Sequence, residues 1–538
     1  MSAQQRTPGW ALIAWLACSG AAATATASAA DRTSAVEALY ARHPDTLLWS
    51  RSGAATAQAR SLIEALQAAS AYGLSPGDYP AAALAAQLTQ LAADDRAAAT
   101  TWAGFDRELT SAAVKLLHDL HYGRVDPRAA GFDMPAREKF DVAAVIEQLA
   151  VRGDTPAVLA EAEPGYLHYR LLRQSLARYR ELAATPELPG LPALPHGSIK
   201  PGEPYAGAPQ LRRRLAAVGD LPPQQAQRTD LELDADLVAA LKRFQYLHGL
   251  AEDGTLGGAT LAALRVPFAQ RVRQIELTLE RWRWVPALKP PTLIVNIPEF
   301  RLFLIRSAVD EEADMLRMNV IVGRQYPQLH TPVFTADMTA VLFRPYWDVP
   351  ASIVRHELLA ELRRDPRYLE AHDMELVNAD GSAAAGTAAD LEALAAGRLR
   401  LRQRPGPDNA LGLIKFVLPN RYDVYLHSTP AQRLFEAPRR AFSHGCIRVS
   451  DPVALAAAVM GGTPGDWTPE KIRAAMEGDV TFQVKLAQPV HVLIVYGTAV
   501  ATEDGAVHFF DDIYGQDRRL EALLGLQPVV RVRGSDHQ

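Results

Sequence analysis

At Pro290-Pro291 the apolar pattern of this 538-residue chain changes its period. Before that point, runs such as Ala57 to Ala71 and Phe105 to Tyr122 carry apolar residues at steps of three and four, the repeat of an amphipathic helix. After it, Leu293-Ile294-Val295-Asn296-Ile297 and Arg301-Leu302-Phe303-Leu304-Ile305 flank Pro298 as a hairpin-like pair of strands. Met318 to Gly323, Phe416 to Leu418, Asp423 to Leu426 and Val490 to Tyr496 read as further strands. Helical and β-rich stretches of this size do not share one core. The chain is therefore expected to be α+β and multidomain, and its length agrees.

Composition shifts divide it further. Residues 31–184 form a helical unit, with helix stops at Tyr72-Gly73-Leu74-Ser75-Pro76 and Gly123-Arg124-Val125-Asp126-Pro127. Residues 185–204 are rich in Pro, Gly and Leu and read as a linker. A small three-helix module follows at 205–266, centred on the capped amphipathic helix Asp234 to Leu247. A connecting helix at 267–289 leads to a mostly β domain at 290–500, and 501–538 is a C-terminal element. Within the β domain the pattern turns helical and charged again, broken at Asn378-Ala379-Asp380-Gly381-Ser382. Residues 350–407 read as a helical cap insertion.

Residues 1–30 read as an export leader: Arg6, then the apolar run Trp10 to Ala17, then Ala27-Ser28-Ala29 before the cut. Retention as an inner-membrane anchor is the alternative, and lipidation at Cys18 fits the preceding residues poorly. The expected location is the periplasm. The net charge of −5 and the lack of a long basic run argue against nucleic acid as a partner.

Once the leader is removed, Cys446 is the only thiol, so no internal disulfide is open to it. A small buried hydrophobe is the ordinary use of such a cysteine. Its setting, Ser443-His444-Gly445-Cys446-Ile447-Arg448, points instead to a nucleophile. A thiol attacks as its thiolate and needs a base or a positive field. His427, 19 residues upstream at a strand end, is the candidate base. The amides at Gly445 and Cys446 are candidate oxyanion donors, with Ser443 and Ser428 as supports. Arg448 either holds a thiolate or substrate carboxylate or is an ordinary packing arginine. Zinc on His427, His444 and Cys446 is the competing reading, weakened by tight spacing and the lack of a fourth ligand, so no metal is expected. No phosphate-binding loop is seen, so no cofactor is expected. His118 and His121 read as ordinary helix residues. The residues alone reach an exported cysteine acyltransferase or hydrolase.

His427 with Ser443-His444-Gly445-Cys446-Ile447-Arg448 resembles the signature of the L,D-transpeptidase catalytic domain. Pro345-Tyr346-Trp347-Asp348-Val349-Pro350, Arg404-Pro405-Gly406-Pro407-Asp408-Asn409 and Asp512-Ile513-Tyr514-Gly515 resemble the large, multidomain subfamily of murein L,D-transpeptidases. Phe244-Gln245, Gly249-Leu250, Asp253-Gly254, Gly257 and Thr260 are similar to a peptidoglycan-binding domain. Leu48-Trp49, Tyr72-Gly73-Leu74 and Gly123 to Pro127 are similar to the subfamily's scaffold domain. The subfamily usually has Asn where Arg344 stands. The resemblance implies attack by Cys446 on the diaminopimelate–D-Ala amide of a stem peptide, loss of D-Ala, and a thioester taken by the amine of a second stem. It implies Cys446, His427 and His444 as the catalytic set and Tyr425, Trp347 and Asn409 as substrate contacts. Peptidoglycan stems and glycan are then the partners, and carbapenem-type β-lactams covalent ligands. The same dyad with water as acceptor would be a carboxypeptidase or endopeptidase, and an inactive chain a wall-binding scaffold.

Overall fold

The structure is a computed structural model and describes residues 29–44, 46–94, 98–186, 188–307 and 315–527. The expected leader, Cys18 included, lies outside them except for its last two positions. Among the described residues no helix is long and apolar enough to cross a membrane.

The first unit is helical because its apolar stripes have only each other to cover them. Helix Ala99–Tyr122 runs through its centre, with Phe105, Leu109, Leu116 and Leu117 fully buried. Asp106 on that helix is also buried, and it accepts hydrogen bonds from the amides of Leu48 (2.8 Å) and Trp49 (2.7 Å) and from the Tyr40 hydroxyl. This explains the Leu48-Trp49 pair: a buried carboxylate must be satisfied, and the entering chain supplies the donors.

In the small module, helices Ala208–Val218, Ala235–Leu247 and Gly258–Leu264 enclose their own core. Gln245 organises its loop. Its amide nitrogen donates to Asp253 (3.0 Å), the Thr255 carbonyl (3.0 Å) and Thr260 (3.2 Å), and its oxygen accepts from the Gly254 amide (2.9 Å). The motif residues thus satisfy one another.

Helix Phe268–Trp282 packs along Leu167–Ala184 and ties the first unit to the β domain. Its buried Glu280 accepts from the amides of Arg124 and Val125 (3.0 Å for the latter). Arg283, fully buried, donates to Glu280 (3.2 Å), to the Tyr169 hydroxyl (3.2 Å) and to the Tyr72 carbonyl. An ion pair at this depth is tolerated because each partner is also hydrogen-bonded.

The β domain is a nine-stranded sheet in the order 441–443, 316–323, 447–449, 426–427, 414–417, 335–343, 482–495, 292–296, 301–305. Strands Arg301–Ile305 and Leu316–Gly323 pair as well, which closes the sheet into a barrel. Strand Thr335–Phe343 was not expected, because its alternation is masked by a run of small and apolar residues. The expected strand Asp423 to Leu426 shrinks to Leu426–His427, since Asp423 takes a left-handed conformation at φ 54°. The cap is also not purely helical. Strands Met374–Val377 and Arg400–Gln403 form a small sheet with Trp347–Asp348, beside short helices and over a separate apolar core. The fold is α+β and multidomain.

Candidate active site

Two short strands set the site. Leu426–His427 runs parallel to Ile447–Val449, with Leu426 opposite Ile447 and His427 opposite Arg448. The Ile447 amide donates to the Tyr425 carbonyl (3.0 Å), which fixes the register one step earlier. Side chains alternate across a strand. Leu426 and Ile447 are fully buried in the barrel core. Tyr425, His427, Cys446 and Arg448 therefore share the other face. Lys415, opposite His427 on the next strand, joins them.

The thiol lies 3.7 Å from the Asp423 carbonyl and is hydrogen-bonded by the Tyr425 hydroxyl. Burial pushes the Cys446 thiol up; Tyr425, Lys415 and Arg448 oppose that shift. Lys415 also lies 3.7 Å from the centre of the Tyr425 ring. Sequence reasoning missed Lys415. The available signal was a lone cation between Ile414 and Phe416, one strand over from His427.

His427 is buried, and its Nδ1 lies 2.6 Å from the Ser428 carbonyl. A carbonyl only accepts, so Nδ1 carries the proton and Nε2 of the neutral ring is left as an acceptor. Burial first, then Arg448, pushes the imidazole down to about 3, with the Ser428 and Leu411 carbonyls partly opposing. The ring is thus neutral at any ordinary pH. Among the described residues the thiol's hydrogen bonds go to Asp423 and Tyr425 rather than to His427.

Ser428 and Ser443 hold backbone. Ser428 Oγ accepts from the amides of Leu413 (2.9 Å) and Ile414 (3.2 Å). Gly412 is required there, since a Cβ would sit 2.2 Å from that oxygen. Ser443 Oγ donates to the Cys446 carbonyl (2.6 Å) and accepts from the Gly445 amide (3.1 Å). Gly445 turns the chain at φ 118°, which favours glycine. Its amide is occupied by Ser443, so of the two expected oxyanion donors only the Cys446 amide has no acceptor among the described residues.

His444 is engaged by the cap. Its Nε2 lies 2.6 Å from Glu357 of the cap. Arg448 is partly buried, and its Nε has no partner. Asn409 is 1% exposed, and its amide donates to the carbonyls of Arg404 (2.8 Å), Pro345 (3.2 Å) and Gln403 (3.4 Å). It clamps the two cap hinges together instead of facing the thiol. Trp347 packs into the cap core, and its neighbour Asp348 bears electrostatically on Lys415 and Tyr425.

Comparison with known proteins adds the following. Residues 34–176 match the family described as "Scaffold domain", 206–264 the "Putative peptidoglycan binding domain", and 290–469 the "L,D-transpeptidase catalytic domain". A curated protein of Haemophilus influenzae named "Putative L,D-transpeptidase" is 27% identical over 304 residues, 55% of this chain. The match spans 60% of that relative's own length. A solved L,D-transpeptidase of Xylanimonas cellulosilytica covers 58% of this chain and 100% of its own, with 14% identity and a TM-score of 0.17, too low to carry an argument. Cys446 lies inside the span matched by the third family, and the chain carries in order spans that match a scaffold domain, a peptidoglycan-binding domain and an L,D-transpeptidase catalytic domain.

Proposed function

We propose that the protein is a peptidoglycan L,D-transpeptidase, an aminoacyltransferase that works through a Cys446 thioester. The observation that carries this is the pairing, on one sheet face, of a half-buried thiol with a neutral imidazole whose Nδ1 proton is locked onto Ser428. Because burial raises the thiol, it rests protonated. Attack on a stem-peptide amide transfers that proton to Nε2 of His427, and the imidazolium then protonates the leaving D-Ala amine. Lys415 and Arg448 stabilise the sulfur anion as it forms. The Cys446 amide receives the developing oxyanion. Tyr425 orients the thiol.

The acceptor is the side-chain amine of diaminopimelate on a second stem, which gives a cross-link between two such residues. The family of the small domain supports peptidoglycan as the partner. The reading includes export to the periplasm, with the leader cleaved or kept as an inner-membrane anchor, and a role in wall biogenesis and cell shape. Carbapenem-type β-lactams should acylate Cys446, because their strained carbonyl meets the same nucleophile.

The test is mass spectrometry of soluble stem peptides incubated with purified enzyme. Cys446→Ala should abolish both cross-linking and carbapenem attachment. His427→Gln should slow acylation by about 10²-fold or more, the usual contribution of a positioned base. His444→Gln should cost much less. Turnover retained by Cys446→Ala would refute the mechanism.

A further inference from the structure

The small module and the catalytic barrel face each other across a groove of about 500 Å³. Ligand sites commonly measure about 300–1,000 Å³. One wall is Tyr246 with residues 248–252 of the module. The other is the hairpin turn at 298–301 and the loop around Phe435 and Arg439, and residues 508, 510, 511 and 513 line the groove as well. That loop runs on, three residues after Arg440, into Ser443 and then to Cys446.

The two walls are fixed in place. Gly249 turns the chain at φ 61°, and a Cβ there would meet the Phe510 ring at 3.3 Å, so glycine lets the module close on the C-terminal segment. Tyr246 meets His508 edge to face with ring centres 5.1 Å apart, and the Arg301 guanidinium lies 5.9 Å from the centre of the Tyr246 ring. Arg243 pairs with Asp504 at 3.1 Å. On the barrel side Arg440 is 9% exposed and donates to the carbonyls of Ala437 (2.9 Å), Phe300 (3.1 Å) and Val320 (3.3 Å), which pins the loop to the hairpin turn. A groove built this way needs little ordering when a ligand enters.

The motif of the small module is not its ligand surface, because Gln245, Asp253 and Thr260 are spent on one another. What the module turns to the groove is Tyr246, 37% exposed, with Ala251 and Glu252 exposed beside it. Glu436 and Arg439 stand exposed on the catalytic loop. Carboxylates (Glu252, Glu436, Asp511) and guanidiniums (Arg301, Arg439, Arg440) both line the groove, so no single sign of charge selects an ionic polymer. An aromatic ring beside polar groups that donate and accept suits a neutral, polyhydroxylated ring. Its C–H face packs on the aromatic ring, while its hydroxyl and acetamido groups exchange hydrogen bonds with the carboxylates and guanidiniums.

We propose that this groove holds the neutral amino-sugar backbone of a wall glycan strand, with the small module and the catalytic barrel each supplying one wall. The inference rests on the peptidoglycan reading above, and goes beyond it in that strand binding does not belong to the small module alone. A strand seated here rests on the loop that continues to Cys446, so tethering and chemistry share one segment of the chain. The strand then raises the local concentration of stems at the barrel with no rearrangement of the two domains.

Two variants of the full-length chain, one on each wall, test this. Ala251→Trp fills the groove from an exposed position on the small module, and Arg439→Ala removes exposed donors from the catalytic loop. Binding is measured with peptide-free glycan strands prepared from sacculi. Each variant should bind them about tenfold more weakly than wild type and cross-link intact sacculi correspondingly less. Cross-linking of small soluble stems and the carbapenem adduct on Cys446 should stay within about twofold of wild type. Unchanged strand binding in both variants overturns the proposal. A loss in one variant alone overturns the shared site, because a single wall would then hold the strand. An equal loss on soluble stems overturns it too, since the groove would then act on the chemistry and not on the glycan. A wild-type chain that binds strands but cross-links no soluble stems refutes the transpeptidase reading and leaves the groove standing.

Discussion

Glu357 Oε1 and His444 Nε2 lie 2.6 Å apart, which joins the cap to the residue two before the thiol. Glu357 belongs to a π-helical turn, Val354–Leu358, an irregularity that turns its carboxylate toward the site. Both side chains are partly exposed, at 43% and 25%, so the pair is worth under about 1 kcal/mol. That is the strength of a latch which opens often. Glu357→Gln should leave carbapenem acylation intact and raise hydrolysis relative to transfer by about two- to fivefold. Product analysis with and without an amine acceptor measures this, and an unchanged ratio would mean that the cap closes without the latch.

The pH dependence of the resting thiol follows from its burial. The raised thiol should be labelled by iodoacetamide at a rate that climbs steadily from pH 7 to about pH 9 with no plateau. Lys415→Met removes a cation that favours the thiolate, so the thiol moves further up and labelling at pH 8 should slow about three- to tenfold. Faster labelling would show the sign to be wrong. His427 acts on stability. Its imidazole is held down to about 3 from an ordinary 6.5, so the unfolded chain binds a proton that the folded chain does not. This contribution is fully present above 6.5 and is lost as pH falls toward 3. His427→Gln should flatten the melting temperature over that window.

Arg344 sits at φ 52°, a left-handed conformation that Asn tolerates better than Arg. Its carbonyl accepts from Thr481 (2.6 Å) and its amide donates to Leu413 (2.9 Å), so the backbone is held in place whatever the side chain. Arg344→Asn should stabilise the protein by roughly 0.5–1 kcal/mol in a denaturant titration. A loss of stability would mean that the weak contact of the guanidinium with Met476 matters more than the strain.

Gln245 is 1% exposed and makes four hydrogen bonds within the peptidoglycan-binding domain, three to loop residues Asp253, Gly254 and Thr255 and one to Thr260 of the following helix. Gln245→Ala leaves those groups unsatisfied and should cost that domain about 2–3 kcal/mol. Binding to purified sacculi should weaken while cross-linking of small soluble stems persists. Equal losses on both substrates would point to a purely structural part for the domain.

The helical units, the hairpin 293–305 and the grouping of Cys446 with His427 were legible because each depends on local pattern or short spacing. What could not be read was set by neighbours distant in sequence. Lys415 joins the site only through the register of its strand with His427. Glu357 reaches His444 across 87 residues. Asn409 looks like a polar loop residue fit for substrate, yet the two cap hinges converge on it and use all its amide donors. Gly445 suggested two free amides, but Ser443 folds back and takes one. The cap hid its strands because Met374–Val377 and Arg400–Gln403 are four residues each, too short for alternation to stand out.

Helix Leu167–Ala184 buries Tyr169, Leu172, Leu176 and Tyr179 against Ala499, Ala501, Val507 and Phe509 from the far end of the chain. The His168 ring reaches the Ala501 carbonyl across 333 residues. During synthesis, then, helix Phe268–Trp282 covers this face first, through Ile275 and Leu279, and the rest of its cover arrives only when almost the whole polypeptide has been made. The core between Val36 and Ala162 is closed on its own, whereas this following helix is fully covered only with the last strands in place. The last strands act as a clasp, and a chain cut short near residue 500 uncovers one side of an early helix along with losing the tail.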